Sequence, residues 1–278
     1  MKAKEKRDNL FLTIIIGAIA LLFLVPIIII VYNSFKGTLF ISSEPFALPR
    51  KGSFVGLDNY IKGIAKTGLI GAFGWSLFIT VFSVGLIVLC TSMTAWYITR
   101  VKGKITSILY YLFVFAMIVP FQMVMFSMSK MANMLYLDNP VGIIFIYLGY
   151  GAGLSIFIFA GFVKAIPLEI EEAAYIDGCN PWQTYFKIVF PLLRPTAITV
   201  AILNAMWIWN DYLLPKLILP SEIKTIPIAI QYLRDGYGGV DMGHMMAMLV
   251  IAIIPIVIFY LSCQKYIIRG VAAGAVKG

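Results

Sequence analysis

Residues 171–195 read EEAAYIDGCNPWQTYFKIVFPLLRP, a polar and proline-rich stretch within an otherwise apolar chain. Hydrophobic residues make up 61% of the sequence, and the mean hydropathy is +0.92. Four of the thirteen acidic residues nevertheless fall within nine positions here, namely Glu169, Glu171, Glu172 and Asp177. Only 13% of all residues are charged, against about 25% in a soluble domain, so the sequence predicts a membrane protein with this stretch in water.

Six apolar runs are long enough to cross a bilayer, which takes about 20 residues with few charges. Counted from one charged residue to the next, they lie at 8–36, 66–100, 104–130, 138–164, from 194 to near 215, and at 241–265. Every backbone polar group in lipid needs an internal partner, and the alternation of barrel strands is absent, so each run is predicted to be helical. The predicted fold is an all-α polytopic membrane protein with six transmembrane helices, forming one domain over 1–278 with its core at about 70–268.

Basic residues indicate the orientation of these six spans. The N-terminus, the connection between spans 2 and 3, and the C-terminal tail are rich in Lys and Arg, whereas the connection between spans 3 and 4 has only Lys130. Positive charge is kept on the cytoplasmic side, so both termini and the stretch at 164–195 are predicted to be cytoplasmic. The same sorting accounts for the net charge of +9, and no nucleic-acid partner is expected.

The stretch at 164–195 is predicted to fold as a helix, a tight turn and a second helix. Acidic residues near the start of the first helix, over 168–176, suit the positive end of its dipole. Gly178 suits the left-handed residue that ends a helix, and Asn180 suits the cap of the next one. An ordinary solvated loop with well-capped helices is the alternative interpretation.

Prolines mark both ends of the second helix in this stretch. Pro181 suits its first turn, while Pro191 is expected to end it, because proline removes a backbone donor from a helix interior. Pro195 then precedes span 5. Two short helices joined in this way to spans 4 and 5 would make residues 164–195 a cytoplasmic coupling loop, with the coupling helix between spans 4 and 5.

The residues of this stretch also form a recognisable motif, E-A-A-x-x-x-G followed by nine residues and I-x-x-P. Its members are Glu172, Ala173, Ala174, Gly178, Ile188 and Pro191. The motif resembles the signature of permease subunits of binding-protein-dependent ABC importers. Two further segments, WNDYLLP at 209–215 and GVAAGAVKG at 270–278, resemble the carbohydrate-uptake branch, in particular the smaller permease of the maltose and multiple-sugar transporters. Ala272 stands where Thr is common in that branch.

The resemblance implies a permease subunit that translocates a sugar, an oligosaccharide in particular, across the bacterial plasma (inner) membrane. Its expected partners are a second homologous permease, two copies of an ABC ATPase, and an extracellular or periplasmic sugar-binding protein. The chain itself would be no enzyme and would hold no cofactor or metal, because ATP and Mg would be bound by the ATPase. Consistent with this, the sequence has no G-x-x-x-x-G-K-[ST] phosphate loop.

Carried over by position, the resemblance assigns two sets of residues to contacts with the ATPase. The docking surface would consist of Glu172, Ala173, Ala174, Asp177, Gly178, Pro181 and Pro191. The cytoplasmic tail, 269–278, would contribute Ala273, Gly274, Ala275, Val276, Lys277 and Gly278.

A sugar pathway would combine aromatic faces with amide and carboxylate groups placed in or near the spans. The candidates are Gln122, Asn133, Asn204, Trp207, Asn210 and Asp211. For Asn210 and Asp211 the competing interpretation is capping of a helix end, and for Trp207 it is a position in the aromatic belt of the membrane interface.

Three other classes of function are weighed against the importer permease. A membrane enzyme would need a convergent set of reactive groups, but the chain has one histidine and its three cysteines are scattered. A channel or secondary transporter would favour charge rings or inverted repeats, and neither is found. An ABC importer permease for an amino acid, peptide or polyol would share the E-A-A motif and stays open as the alternative.

Overall fold

The computed structural model describes residues 2–233 and 240–275, with side chains over 12–233 and 240–265. Within these residues the secondary structure is helical, apart from one isolated antiparallel bridge between Lys36 and Phe54. The helices are α1 (Lys2–Asn33), α2 (Thr38–Ser43), α3 (Asp58–Thr67), α4 (Leu69–Arg100), α5 (Lys104–Ile118), α6 (Phe121–Met134), α7 (Gly142–Val163), α8 (Leu168–Ile176), α9 (Pro181–Asn210), α10 (Leu213–Ile218), α11 (Ile226–Gln231) and α12 (Met242–Ala275).

Five helices in the described part of the chain are long and apolar enough to cross a membrane. They are α1, α4, α7, α9 and α12, and the pair α5 and α6 passes the same test only when the two helices are taken together. Counting this pair as one broken span gives six, which confirms the predicted all-α polytopic fold.

The break in the third span lies at Val119 and Pro120. Both residues have extended backbone, with ψ of 117° and 136°, and α5 and α6 diverge by 107° across them. Proline lacks the N–H that a continuous helix needs, and its ring disfavours helical backbone at the preceding residue. A proline inside a helix usually causes a kink, and the structure has a much larger bend at Pro120.

The second helix of the polar stretch does not end at Pro191, and that prediction is wrong. Helix α9 continues through Pro191 and Pro195 to the end of span 5. Residues Tyr185–Val189 form a π-helical turn, in which the N–H of Phe190 donates to the carbonyl of Tyr185 five residues earlier. This wider turn lies immediately before Pro191, so the helix adjusts its hydrogen bonding where the proline has no N–H to donate.

The chain forms two compact units, of which the first comprises residues 1–70 and 229–255. The connection after α1 is organised by buried polar groups in this unit. Asn59 donates to the carbonyls of Ser34 and Lys36 at 2.8 and 2.9 Å. Lys36 is itself only 1% exposed, and its ammonium donates to two carbonyls of the same connection. Burial lowers the pKa of Lys36 more than nearby Glu44 raises it.

Asp241 joins the same connection to the start of α12. Its carboxylate accepts a hydrogen bond from Lys66 at 2.8 Å and lies 2.5 Å from Nδ1 of His244, while its other oxygen lies 3.3 Å from the hydroxyl of Thr38. Burial raises the pKa of Asp241, but the Lys66 and His244 contacts outweigh it, and the pKa lies below its usual value. The connection after α1 is therefore attached to the start of α12 by electrostatic interactions as well as by packing.

The second unit comprises residues 71–228 and 256–278. Helix α7 lies at its centre and packs against α5 and α9. More than half of the residues in its most apolar segment are buried. Helices α7 and α5 approach closely at Gly153, where an added Cβ would lie 2.6 Å from the carbonyl oxygen of Phe113 in α5. Only glycine permits this contact between the backbones. Whether the chain forms a single transmembrane domain stays a prediction.

Candidate coupling loop and substrate pathway

Helix α8 ends in a Schellman turn at Gly178. The glycine has φ of +82°, as the sequence predicted, and its N–H donates to the carbonyl of Tyr175 at 3.1 Å. The N–H of Cys179 donates to the carbonyl of Ala174 at 2.9 Å. The two bonds satisfy carbonyls at the helix end, and the positive φ explains why a residue without Cβ stands there.

Helix α9 begins directly after this turn, with a capping box. The side chain of Asn180 accepts the N–H of Gln183 at 2.9 Å, and the side chain of Gln183 accepts the N–H of Asn180 at 3.0 Å. Pro181 occupies the first turn, where its missing N–H costs nothing. The predicted helix, tight turn and helix are therefore confirmed, and only Cys179 and Asn180 separate the turn at Gly178 from α9.

Glu171 ties α8 to the end of α4. Its side chain is 2% exposed, and one carboxylate oxygen accepts Nε and Nη2 of Arg100 at 2.9 and 2.7 Å. The other oxygen accepts Nε1 of Trp96 at 2.9 Å. Arg100 also donates to the carbonyl of Ile166, just before α8. A buried carboxylate is stable only when its oxygens are satisfied in this way.

Tyr185 ties α9 to the same helix. It is 1% exposed, and its hydroxyl lies 2.6 Å from the hydroxyl of Ser92. Its ring centroid lies 5.5 Å from that of Trp96, the residue that also bonds Glu171. Both helices of the loop are thus fixed to one stretch of α4, and a displacement of the loop must displace that end of α4.

The sequence interpretation placed all the acids of this stretch in water, which is wrong for Glu171. No local pattern pointed to its burial, because its partner Arg100 is 71 residues away. Ala174, one turn further along α8, is also buried at 3% exposure. These two residues define the inward side of α8.

The outward side of the loop carries exposed apolar groups that sequence reasoning did not select. Ile176 is 86% exposed, Trp182 64% and Phe186 47%, and the last two rings are stacked with centroids 6.3 Å apart. Apolar side chains grouped on a polar segment mark an interaction surface, and Trp is among the residues most enriched at the centres of such surfaces. The sequence could have indicated this surface, because Ile176, Trp182 and Phe186 are large apolar residues in a stretch predicted to be in water.

The predicted docking residues divide into an exposed group and one buried residue. Those exposed are Glu172, Ala173, Asp177, Gly178, Pro181 and Pro191. Ala174 faces the inside of its own chain. Of the predicted tail, Ala273, Gly274 and Ala275 belong to the end of α12, where side chains are outside the described residues, and Val276, Lys277 and Gly278 lie outside them entirely.

Three of the six candidate pathway residues line one cavity of about 170 Å³. They are Gln122, Trp207 and Asp211, and Phe121 and Tyr150 complete its aromatic wall. An amide, a carboxylate and aromatic rings therefore meet in a small space next to the break between α5 and α6. This combination suits a ligand with both hydroxyl groups and apolar ring faces.

Asp211 also holds the structure around this cavity. One carboxylate oxygen accepts the N–H of Leu213 at 3.0 Å, at the start of α10, and the other accepts the hydroxyl of Tyr147 at 3.0 Å. Burial raises the pKa of Asp211, while the bonds from Tyr147, Leu214 and Leu213 act in the opposite direction. The capping interpretation is thus confirmed for Asp211, which lies at the cavity as well.

The other three candidates are not brought to the cavity. Asn204 is buried in the helix core, where it donates to Ser155 at 3.1 Å and to the carbonyl of Val200. Asn133 donates to Asp138 at 3.0 Å, and Asn210 donates to a carbonyl of its own helix. The amides of Asn204 and Asn210 are used in helix packing and helix-end bonding.

Comparison with known proteins identifies the family of the chain. Residues 87–273 match the family described as "Binding-protein-dependent transport system inner membrane component". The chain belongs to this family. The matched region contains the coupling loop and all three cavity residues, and membership confirms a membrane-embedded transport subunit rather than an enzyme.

Named relatives of this permease are similar over nearly its whole length. It is 42% identical over 261 residues to the probable starch degradation products transport system permease AmyC of Thermoanaerobacterium thermosulfurigenes, which covers 93% of each chain. It is 38% identical to the multiple sugar-binding transport system permease MsmG of Streptococcus mutans, over 100% of both chains.

A solved structure supports the fold of the permease. A chain from a bacterial ABC transporter involved in the import of the acidic polysaccharide alginate superposes with a TM-score of 0.78, covering 95% of this chain and 97% of that one. The sequence identity is 23%, so this likeness concerns the fold.

Proposed function

We propose that this permease translocates a sugar, an oligosaccharide in particular, in an importer powered by ATP hydrolysis on separate ATPase subunits. It works with a second, homologous permease and receives its substrate from a sugar-binding protein outside the membrane. The names of the relatives similar to it, which concern starch products and multiple sugars, support a carbohydrate substrate. The cavity lined by Gln122, Trp207 and Asp211 offers an amide, an aromatic ring and a carboxylate, which suit the hydroxyl groups and ring faces of a sugar.

The single observation that carries this proposal is the rigid attachment of the coupling loop to α4. A ligand shifts a conformational equilibrium only through its different affinities for the two states. ATP is bound on another subunit, so a stiff element must link that subunit to the spans. The loop satisfies this requirement, because α8 and α9 are fixed to α4 through Glu171 and Tyr185 while their outer sides stay exposed.

The exposed outer side is the surface on which the ATPase docks. It combines acidic Glu172 and Asp177 with apolar Ile176 and Trp182 around the small residues Ala173 and Gly178. Small residues allow a partner surface to approach the backbone, and the large apolar groups supply contact area. When the ATPase subunits close on ATP, the loop moves with them and the spans change between the inward-open and outward-open states.

The test is ATP hydrolysis by the assembled importer in lipid vesicles, measured with its binding protein and a panel of oligosaccharides, amino acids and peptides. We expect hydrolysis to rise several-fold with the binding protein and its sugar, and sugar to accumulate in proportion. Stimulation by an amino acid or a peptide alone would overturn the substrate class. Uptake that persists without ATP would overturn the importer mechanism.

A further inference from the structure

A second pocket, of about 270 Å³, lies where α4 ends, α5 begins and α7 ends. Its lining residues include the two lysines Lys102 and Lys164 and the hydroxyl-bearing residues Thr99, Ser107 and Tyr110. It is separate from the cavity at Asp211, and Lys164 is the one residue of the stretch at 164–195 that lines it. The transport mechanism described above makes no use of it.

The pocket is positively charged. Neither Lys102 nor Lys164 has a carboxylate partner among the described residues, and no acidic residue lines the pocket. Lys164 lies over the ring of Tyr110, with Nζ 5.7 Å from the ring centroid. Helix α5 begins beside it at Lys104 without a side-chain cap, so the positive end of its dipole adds to the field.

One lining residue also has a buried hydroxyl group without a partner. Thr99 lines the pocket, and its Oγ1 is buried without a hydrogen-bond partner in the described structure. Elsewhere on α4, the hydroxyls of Thr91 and Thr94 donate to carbonyls four residues earlier, at 2.6 and 2.8 Å. A buried polar group without a partner costs free energy, and an acceptor oxygen in the pocket would remove that cost.

An apolar stripe runs along α5 away from the pocket. Ile108, Leu112 and Phe115 follow one another at helical spacing and are 58%, 57% and 64% exposed. The stripe begins beside Ser107, a pocket residue, on a helix that forms half of a membrane span. A small soluble anion would leave this stripe unused, whereas a molecule with an anionic head and hydrocarbon chains would cover both parts.

We propose that this pocket binds the phosphate of an anionic phospholipid head group. Lys102 and Lys164 neutralise the phosphate, and the hydroxyls of Thr99 and Ser107 donate to its oxygens. The acyl chains lie against Ile108, Leu112 and Phe115. Basic pockets between membrane helices are typical binding sites for anionic head groups, with a substantial contribution from each lysine near the surface.

The site would give the lipid a direct mechanical effect. Thr99 adjoins Arg100, which bonds Glu171 of the coupling loop, and Lys164 lies four residues before the start of α8. A head group bound to both sides of the pocket therefore links the end of α4 to the end of α7. The first of these ends bonds the coupling loop through Arg100, and the second leads directly into it.

The test is native mass spectrometry of the protein purified with the subunits that accompany it. Phosphatidylglycerol and phosphatidylcholine of equal chain length are added in turn, and the affinity for each is measured. Comparison is made between the wild type, the double variant Lys102→Gln/Lys164→Gln, Thr99→Val, and the control Lys130→Gln. Lys130 is an exposed lysine on α6 that does not line the pocket.

We expect the wild type to prefer phosphatidylglycerol by about tenfold or more, and the double variant to lose that preference. Thr99→Val keeps the charge and should weaken the affinity a few-fold, while Lys130→Gln should match the wild type. An undiminished preference in the double variant would overturn the proposal. If the double variant does not assemble, an unchanged affinity of Thr99→Val for phosphatidylglycerol would overturn it instead. Displacement of the lipid by excess inorganic phosphate would indicate a site for a soluble phosphate instead.

Discussion

The guanidinium of Arg100 and the carboxylate of Glu171 form a buried ion pair at 2.7 Å, which joins the last turn of α4 to the first turn of α8. Arg100 is 18% exposed and Glu171 2%. Because Trp96 satisfies the second carboxylate oxygen, the pair belongs to a closed network rather than to the solvent-exposed surface. The coupling loop is thus part of the body of the permease.

Removing one partner of this pair should cost more than removing both. Arg100→Met leaves the Glu171 charge buried, and we expect the free energy of unfolding to fall by about 3–5 kcal/mol. Arg100→Met/Glu171→Leu leaves no buried charge and should recover most of that loss. Thermal unfolding of the purified protein measures both effects.

The matched control for this pair is Arg50→Gln. Arg50 pairs with Glu44, but the two side chains are 63% and 42% exposed, so the change should cost at most about 1 kcal/mol. Equal losses for Arg100→Met and Arg50→Gln would contradict the structural role assigned to Glu171.

Two adjacent alanines of α8 should respond differently to the same substitution. Ala173 is exposed, so Ala173→Asp should insert normally at wild-type level but reduce sugar uptake at least tenfold, because it places a charge on the docking surface. Ala174 is 3% exposed, so Ala174→Asp would bury a charge and should lower the amount of folded protein in the membrane. Quantitative immunoblotting together with uptake separates the two effects.

Similar phenotypes for the two alanine variants would remove the distinction between an inner and an outer side of α8. Ala65→Asp serves as a further control, since Ala65 is an exposed alanine on α3, outside both the coupling loop and the membrane spans. Its uptake should exceed that of Ala173→Asp at equal membrane level.

The cavity predicts which of the candidate polar residues matter for transport. Gln122→Ala and Trp207→Ala should each raise the sugar concentration needed for half-maximal uptake, by up to about tenfold, the equivalent of about 1.4 kcal/mol. Asn210→Ala is the matched control, because its amide donates to the carbonyl of Met206 in its own helix and the residue does not line the cavity. An effect of Asn210→Ala as large as that of Gln122→Ala would argue against this cavity as part of the pathway.

The lowered pKa of Asp241 predicts a dependence of stability on pH. Burial opposes this shift, but the hydrogen bonds from Lys66 and His244 favour the carboxylate more strongly. The ionised group therefore stabilises the fold above its ordinary pKa of about 3.8, and this contribution is lost as the pH falls through the lowered value. Asp241→Asn should be less stable than the wild type at pH 7, and the difference should shrink as the pH falls below about 3.8.

Thermal unfolding across this pH range checks the prediction, with Asp58→Asn as the control. Asp58 pairs with Lys62 on one exposed turn, where the side chains are 49% and 60% exposed. Its replacement should change stability little at any pH. A deficit of Asp241→Asn that does not shrink as the pH falls below about 3.8 would show that packing, and not the ionised carboxylate, is responsible.

The sequence predicted those parts of the loop that depend on local chemistry. The helix over 168–176, the left-handed Gly178 and the cap at Asn180 are all set by neighbouring residues, and the structure confirms them. The spans were predictable for a similar reason, since a bilayer imposes length and apolarity on each one. The burial of Glu171 depends on Arg100, a distant residue, and had no local signal.

Two prolines show where local rules fail. Pro120 and Pro191 both lack an N–H, yet the chain breaks at the first and continues through the second. The difference lies in the π-helical turn before Pro191, which is packed through Tyr185 into the helix core. Tertiary packing therefore decides whether a proline breaks the helix or is accommodated by a π-helical turn within a continuous helix.

The central claim is that the outer side of α8 docks on a separate ATPase subunit. It is tested most directly by the rate at which a thiol reagent modifies Ile176→Cys, in a chain whose Cys90, Cys179 and Cys263 are replaced by alanine. Ile176 is 86% exposed, so the thiol should react rapidly in the isolated permease and at least tenfold more slowly in the assembled importer. Leu135→Cys, at a residue 60% exposed outside the loop, calibrates the reagent. Equal rates for Ile176→Cys in the isolated and assembled protein would contradict the account.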